Sequence, residues 1–445
     1  LMGKRRTRRG QSGRSARKGS QYILAGIAAA VVIIAAAAVL WQFFGKAGSG
    51  KDNEASQNGA GQTVQSGEKT DQADDAGKGE EKQSDETAGR EDSSVEVKAG
   101  EILESMTLEE KVCQLFMITP EALTGVGTVV QAGTSTKNAI DQYPVGGLIY
   151  FSQNLQDPDQ TRTMLANTQQ YAKERTGFPI FLSVDEEGGQ VARVGSNPAF
   201  GVEKIGNMSD VGSRGDTQEA YEVGSTIGAY LSDLGFNMDA APDTDVLTNP
   251  DNQVVKYRSF SSDPQLVTEM AASELRGLNE QGIIGMYKHF PGHGGTTDDS
   301  HEGYAYVDDT LEELKSGAFV PFQDGIDNGI QVIMVSHISC PNVTGDNTPA
   351  TLSKMMITDI LRNDMGFDGM VITDAMNMGA ITAQYSSSEA AVAALNAGVD
   401  MLLMPEDFQS AYQGVLGAVK DGTVSEERID ESVRRILELK LEMEK

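Results

Sequence analysis

Histidine is scarce in this chain. There are four among 445 residues, and three of them fall within residues 288–301, KHFPGHGGTTDDSH. Cysteine is scarcer still, with Cys113 and Cys340 far apart in sequence. No C-x-x-C or zinc-type spacing results, which removes dithiol redox chemistry and thiolate metal sites; two separately buried thiols are expected, with a disulfide as the extracellular alternative. No G-x-G-x-x-G or Walker A loop follows any apolar run, which weighs against nucleotide binding. Basic charge is sparse beyond the N-terminus: the formal net charge is −29, yet the first twenty residues carry eight Lys or Arg and no acid. The basic end and the acidic body therefore need separate explanations.

Residues 1–21 form that basic tail, and Tyr22–Leu40 is an uncharged apolar stretch followed by WQFF. A hydrocarbon core takes about 20 apolar residues, whereas a cleaved signal has an apolar region of about 7–15. A membrane anchor over 22–44 is the expectation, with a cleaved signal as the alternative. Trp41, Phe43 and Phe44 stand where an interfacial aromatic belt would. The Arg-rich flank then stays cytoplasmic and the rest lies outside the cell. Topology accounts for the basic run, so no nucleic-acid partner is expected. Residues 45–98 are rich in Gly, Ser, Gln and acids with no aromatic residue, the composition of a disordered acidic linker.

Residues 99–445 contain no second linker and suit one large α/β domain. Thr107-Leu-Glu-Glu110 is a capping box opening a helix whose apolar face is expected to include Val112, Leu115 and Phe116. Apolar runs recur at 146–151, 179–185, 235–243, 285–290, 330–337, 369–374 and 399–405. Helical patterns separate several of them, such as the one capped by Ser386-Ser-Ser-Glu389 and closed by Gly398. Continuous apolar strands alternating with amphipathic helices point to a parallel sheet covered by helices. A closed (β/α)8 barrel of TIM type is favoured over a doubly wound open sheet.

Asp185, Asp239, Lys288 with His289, His337 and Asp374 each end an apolar run, the rim where a (β/α)8 barrel gathers its catalytic groups. A lone Asp after a strand commonly caps the next helix, but five positions of varied chemistry are harder to assign to capping. His289 and His293 are four apart, yet Pro291 and Gly292 between them break any helix, so the zinc-protease arrangement fails. A barrel metallohydrolase with scattered ligands is the metal-dependent alternative. Asp299 stands two residues before His301 on the Gly-rich loop, where a carboxylate can fix an imidazole tautomer for proton transfer near neutral pH, or simply solvate the loop. Asp374, projecting from a rigid strand in VITDAMNM, suits a nucleophile at a sugar carbon as well as it suits a cap. Arg193, Arg258 and Lys288 lie on separate rim segments and could bind hydroxyl and carbonyl oxygens or form plain salt bridges.

K-H-F-P-G-H-G followed by D-S-H resembles the signature of glycoside hydrolase family 3, in its single-domain β-N-acetylglucosaminidase branch. DEEGGQVAR resembles the family's D-x-E-G-G-x-V-x-R segment, YRSF its R-S-F turn, and VITDAMNM its nucleophile strand. The resemblance spans residues 99–445 and implies Asp374 as nucleophile, His301 paired with Asp299 as acid/base, and Asp185, Arg193, Arg258, Lys288 and His289 as ligands of the terminal N-acetylglucosamine. His293 matches the motif as a loop-shaping residue. About 71 residues follow Asp374, which leaves no room in this sequence for the second α/β domain of many relatives, so the loop dyad is expected to supply the acid/base. The implied activity is a retaining exo-β-N-acetylglucosaminidase acting on peptidoglycan-derived fragments, with no metal or organic cofactor. Phosphorolysis is a chemical variant, because a neutral histidine does not repel an incoming anion. A non-catalytic wall-glycan binding module is the non-enzymatic alternative.

Overall fold

The computed structural model describes residues 94–296 and 303–444. The expected tail, anchor and most of the linker fall outside these residues, as does the segment 297–302. Among the described residues no helix is long and apolar enough to cross a membrane.

Eight of the strands among the described residues form the barrel, in chain order: β1 Phe116–Ile118, β2 Gly147–Tyr150, β3 Phe181–Val184, β4 Met238–Asp239, β5 Tyr287–Phe290, β6 Val332–Val335, β7 Met370–Thr373 and β8 Leu402–Leu403. Parallel ladders join β8 to β1, β1 to β2, β2 to β3 and β3 to β4. A second set joins β5 to β6 and β6 to β7. Isolated parallel bridges close both seams: Met238↔Ile284 and Asp243↔Lys288 between β4 and β5, and Ile372↔Met401 between β7 and β8. The ring is complete, so the closed barrel holds and the open sheet does not. The strands are buried along their whole length, as continuous apolar runs require when helices cover one face and a packed interior the other.

The outer layer follows the local signals. Helix α1, Leu108–Gln114, opens on the Thr107/Glu110 capping box, and α2, Thr134–Gln142, leads to β2. Then come α3 Pro158–Thr176, α4 Thr217–Leu234, α5 Pro264–Glu280, α6 Val320–Asp327, α7 Ser387–Ala397, α8 Phe408–Lys420 and α9 Glu426–Glu442. Helix α7 carries the expected Ser386/Glu389 capping box and ends at Gly398, whose φ of 112° lies in the region glycine tolerates. At the entry to β2 a Cβ on Gly146 would stand 2.0 Å from the Gln114 carbonyl oxygen, so α1 and β2 approach closely only through glycine.

Two details differ from expectation. Leu115 and Phe116 do not extend the first helix: the chain turns at Leu115 and Phe116 begins β1. Periodicity cannot separate a three-residue buried strand from the helix it directly follows. Helical structure also begins at residue 94, and Val95, Ala99 and Leu103, four apart, join the core. Cys113 and Cys340 are both free and buried, and burial pushes each thiol up to about 12.

The last helix is fixed to the barrel by charge. Asp400 is wholly buried and accepts from Arg428 Nη2 (3.0 Å), Arg435 Nη1 (3.2 Å), Ser432 Oγ (2.8 Å), the Val371 N–H (2.9 Å) and the Arg362 guanidinium. Burial works against its ionised form, but the three guanidinium groups outweigh that and hold its pKa below the usual carboxylate range. Asp400→Asn is expected to lower unfolding stability by about 3–5 kcal/mol, the cost of leaving buried cations uncompensated, read as the shift in urea midpoint.

Lys440 is the opposite case. It is fully buried, donates to Gln114 Oε1 at 2.7 Å, and lies 5.3 and 5.1 Å from the ring centres of Phe178 and Phe181. Burial pulls its pKa well below that of a free lysine. The stability this residue carries is therefore full above the unfolded pKa of about 10.4 and is lost as pH falls from there toward the depressed folded value. Lys440→Met is expected to be more stable than the parent at pH 7 by about 1–3 kcal/mol, with the advantage shrinking at pH 10; urea titrations at the two pH values measure both.

Candidate active site

The C-terminal rim of the barrel holds a dense charge network whose members come from different strands. Asp185 and Glu187 follow β3, Asp243 and Asp245 follow β4, Lys288 and His289 lie in β5, and Asp374 follows β7. The Lys288–His289 peptide bond is cis.

Residues 186–188 pair antiparallel with 191–192, so side chains alternate across this small hairpin. Glu187 faces the cations. Its Oε1 lies 2.5 Å from Lys288 Nζ and 2.8 Å from Arg258 Nη2, and its Oε2 accepts from Arg258 Nε at 2.8 Å. Burial opposes its charge, but the two cations prevail and its pKa is lowered. Burial likewise disfavours the Lys288 and Arg258 cations, yet the surrounding carboxylates raise both.

Glu186 points the other way and holds the hairpin together. Its carboxylate accepts from the backbone N–H groups of Arg193 (2.6 Å), Val194 (2.7 Å) and Gly195 (2.7 Å), and from Tyr230 Oη (2.9 Å). Arg193 is thereby aimed at the mouth, where Nη2 lies 3.3 Å from Asp185 Oδ2 and the guanidinium sits over the Phe151 ring. Its Nε is buried and has no hydrogen-bond partner among the described residues. Asp185, half-buried, also accepts from Lys288 Nζ at 3.2 Å.

The protonation of His289 follows from its neighbours. Arg258 Nη2 lies 3.1 Å from Nε2, and a guanidinium only donates, so Nε2 accepts and the proton resides on Nδ1, 2.7 Å from Asp245 Oδ2. Burial, then the Arg258 charge, lowers the pKa of this imidazole to about 4. Asp245 also accepts the His293 N–H at 2.5 Å, and His293 Nδ1 meets Thr296 Oγ1 at 2.9 Å. His293 is thus a buried loop anchor, as expected. A Cβ on Gly294 would stand 1.9 Å from the Val246 carbonyl oxygen, so the loop seats on its neighbour only as glycine.

Asp374 caps β7: its N–H donates to the Val335 carbonyl and its Oδ1 accepts from the Ala375 N–H at 2.7 Å. It is half-buried, and its charge acts on His289. His337 Nε2 meets the Ala375 carbonyl at 3.0 Å and Nδ1 meets Thr351 Oγ1 at 2.7 Å, so this histidine braces the backbone behind Asp374. Met376 and Met378 are buried, as packing residues should be.

Asp185, Arg193, Arg258, Lys288 and His289 are therefore brought together as one network, with Asp374 on the same rim. Asp299 and His301 lie outside the described residues. Asp239 is a correction: it ends β4 as expected but is wholly buried, accepts the Glu186 N–H at 2.9 Å, and is kept far above the usual carboxylate pKa by burial. It supports the hairpin rather than lining the mouth.

Asp243, Asp245 and His289 offer three potential metal ligand atoms within 4.8 Å of one another. Arg258 Nε is 3.4 Å from Asp243 Oδ2 and its Nη2 contacts His289, so the guanidinium occupies the neutralising position a metal cation would take.

Residues 107–439 fit the model of the glycosyl hydrolase family 3 N terminal domain. The chain belongs to that family. It is 33% identical over 329 residues to beta-hexosaminidase A of Pseudoalteromonas piscicida, which covers 68% of this chain and 54% of that protein. Beta-hexosaminidase LpqI of Mycobacterium tuberculosis is 32% identical over 276 residues, 59% of this chain and 68% of that protein. Among solved structures, a family 3 β-N-acetylglucosaminidase from Paenibacillus sp. str. FPU-7 superposes with a TM-score of 0.72 at 38% identity, covering 76% of this chain and 63% of that one. The chain thus spans about half the length of the Pseudoalteromonas relative.

Sequence reasoning missed Glu186, Glu187, Asp243 and Asp245. Glu186 and Glu187 stand inside DEEGGQVAR, and alternation along an extended segment would have sent them to opposite faces. Asp243 and Asp245 stand two apart beyond β4, a spacing that on extended backbone points two side chains to one face. Glu187→Gln is expected to lower stability by about 3–5 kcal/mol, since Arg258 and Lys288 remain buried without their shared counter-charge. It should also raise KM for a glycoside more than it lowers kcat. An unchanged urea midpoint together with an unchanged KM would show that Glu187 does not neutralise them.

Proposed function

We propose that this protein is a retaining exo-β-N-acetylglucosaminidase that hydrolyses terminal N-acetylglucosamine from peptidoglycan-derived fragments. The observation that carries the proposal is the placement of Asp374 at the end of β7, on the rim that also holds Asp185, Arg193, Arg258, Lys288 and His289, in a family 3 chain. Relatives described as beta-hexosaminidases and as a β-N-acetylglucosaminidase support the same sugar.

In this mechanism the Asp374 carboxylate attacks the anomeric carbon as the glycosidic C–O bond breaks, giving a covalent glycosyl-enzyme. His301, oriented by Asp299, gives its proton to the departing oxygen. In the second half His301 takes a proton from water, the water oxygen bonds to the anomeric carbon, and the Asp374–sugar bond breaks. Two displacements retain the anomeric configuration. Lys288, Arg193 and the network around His289 bind sugar oxygens; their fixed charges need no reorganisation when the ligand enters.

The anchor over 22–44 and a linker from 45 to the helix that begins at residue 94 belong to the same reading, with the barrel standing outside the cell on a tether. Their support is the uncharged stretch, its basic flank and the acidic composition that follows.

Release of p-nitrophenol from its β-N-acetylglucosaminide should survive EDTA, fall by at least about 10³-fold in Asp374→Ala and fall by roughly 10²–10⁴-fold in His301→Ala. The first sugar product seen by proton NMR should be the β-anomer. Loss in EDTA would favour a metallohydrolase, and full activity in Asp374→Ala would remove the nucleophile assignment.

A further inference from the structure

The helical layer of the barrel contains a cleft that the chemistry proposed at the rim does not use. It opens between α5 and α6 with a volume of about 580 Å³, inside the range of about 300–1,000 Å³ that small-molecule sites occupy. Ala272, Leu275, Arg276 and Asn279 form one wall, at spacings that place them on one face of α5. Asp324, Gly325 and Asn328 form the other, at the C-terminal end of α6.

Tyr287 of β5 lines the same cleft, and Gly325 is what admits it. A Cβ on Gly325 would stand 2.4 Å from Tyr287 Cε2, so the ring lies directly against the α6 backbone. Strand β5 thus faces two ways, because the next residue, Lys288, sends its Nζ to Glu187 in the rim network. Tyr287 is only 2% exposed, and burial followed by the Asp324 charge raises the pKa of its hydroxyl. That hydroxyl has no hydrogen-bond partner among the described residues, whereas a buried phenol ordinarily has one.

The two walls carry unpaired charges of opposite sign. Arg276 sits over the Tyr221 ring, with Cζ 4.9 Å from its centre, and makes no ion pair among the described residues. Stacking of this kind leaves the N–H edge of a guanidinium able to donate to a carboxylate. Asp324 likewise makes no ion pair among the described residues. Its backbone carbonyl accepts from Asn328 Nδ2 at 2.8 Å, which leaves Asn328 Oδ1 as a second acceptor on that wall. The carbonyl end of α6 adds to the attraction for a cation there. Glu280, the remaining charge at the cleft, is engaged by the Tyr221 hydroxyl at 2.6 Å.

A guanidinium on one wall, a carboxylate on the other, a phenol donor and the apolar surface of Leu275 and Ile330 complement a small zwitterion. We propose that this cleft binds a short peptide with free ends, its carboxylate on Arg276, its ammonium on Asp324 and Asn328, and its backbone carbonyl on the Tyr287 hydroxyl. None of these residues belongs to the rim network, so the site stands independently of the glycosidase reading.

The test is isothermal titration calorimetry of the full chain at pH 7 with L-alanyl-L-alanine, with its N-acetyl derivative, which lacks the ammonium, and with its C-terminal amide, which lacks the carboxylate. The free dipeptide should bind one to one with a Kd of about 1 mM or tighter. Each derivative should bind about ten- to a hundredfold more weakly, as should the free dipeptide to Arg276→Gln or Asp324→Asn. Tyr287→Phe should weaken it about two- to tenfold. Urea midpoints equal to the parent's would tie these losses to the cleft and not to unfolding. Absence of saturable heat with the free dipeptide would overturn the proposal, as would full affinity in Arg276→Gln or Asp324→Asn. An amide that binds as tightly as the free dipeptide would make the cleft an amine site, and an equally tight N-acetyl derivative an anion site; either result overturns the zwitterion.

Discussion

The rim depends on one carboxylate shared by two buried cations. Glu187 neutralises Arg258 through two hydrogen bonds and Lys288 through a third contact, and all three side chains are almost wholly removed from water. Without a counter-charge either cation would be costly to bury, and Lys288 would tend to lose its proton. With it, both stay charged in a low-dielectric mouth, where a hydrogen bond to a neutral sugar hydroxyl is strong. Arg258 also fixes the His289 tautomer by occupying Nε2, so one ion pair sets the donor pattern of two further residues.

The barrel makes such a cluster attainable because adjacent parallel strands deliver their ends to the same rim. Val184 is registered with Asp239 and Tyr150 with Val184, so the residues that follow these strands emerge at one level. The hairpin after β3 then uses alternation twice, sending Glu187 to the mouth and Glu186 to the hairpin's own backbone N–H groups. Burial keeps the Glu186 pKa raised despite those donors, which marks how little water reaches it.

Much of this was legible in sequence because long apolar runs ending in a polar residue have few other interpretations. Asp185, Lys288, His289 and Asp374 were visible as strand ends, and the cap residues Thr107 and Ser386 were visible from the spacing to Glu110 and Glu389. What escaped was whatever needed a partner distant in sequence. Nothing near Asp400 announces that Arg362, Arg428 and Arg435 will converge on it, and nothing near Lys440 announces Gln114 or Phe181. Asp239 failed for a related reason: a strand-end acid can turn inward to the mouth or outward to the helices, and two residues of strand are too few for periodicity to decide.

Asp245 links the buried His289 imidazole to the loop that begins at His293. Its two oxygens accept from His289 Nδ1 and from the His293 N–H, the second at the base of the loop. Asn252 Nδ2 extends the tie by donating to the carbonyls of His293 and Thr296. A change at His289 therefore acts on the same carboxylate that holds the His293 backbone. Asp243 tightens this coupling: burial and the Asp245 charge raise its pKa, so the two neighbouring acids do not both ionise freely. Burial raises the Asp245 pKa, while the His293 N–H and the Arg258 charge pull the other way, toward the ionised form that accepts both N–H groups. The His289 imidazole and the His293 backbone thus share one electrostatic balance, set by the buried Asp243 and Asp245 and by Arg258.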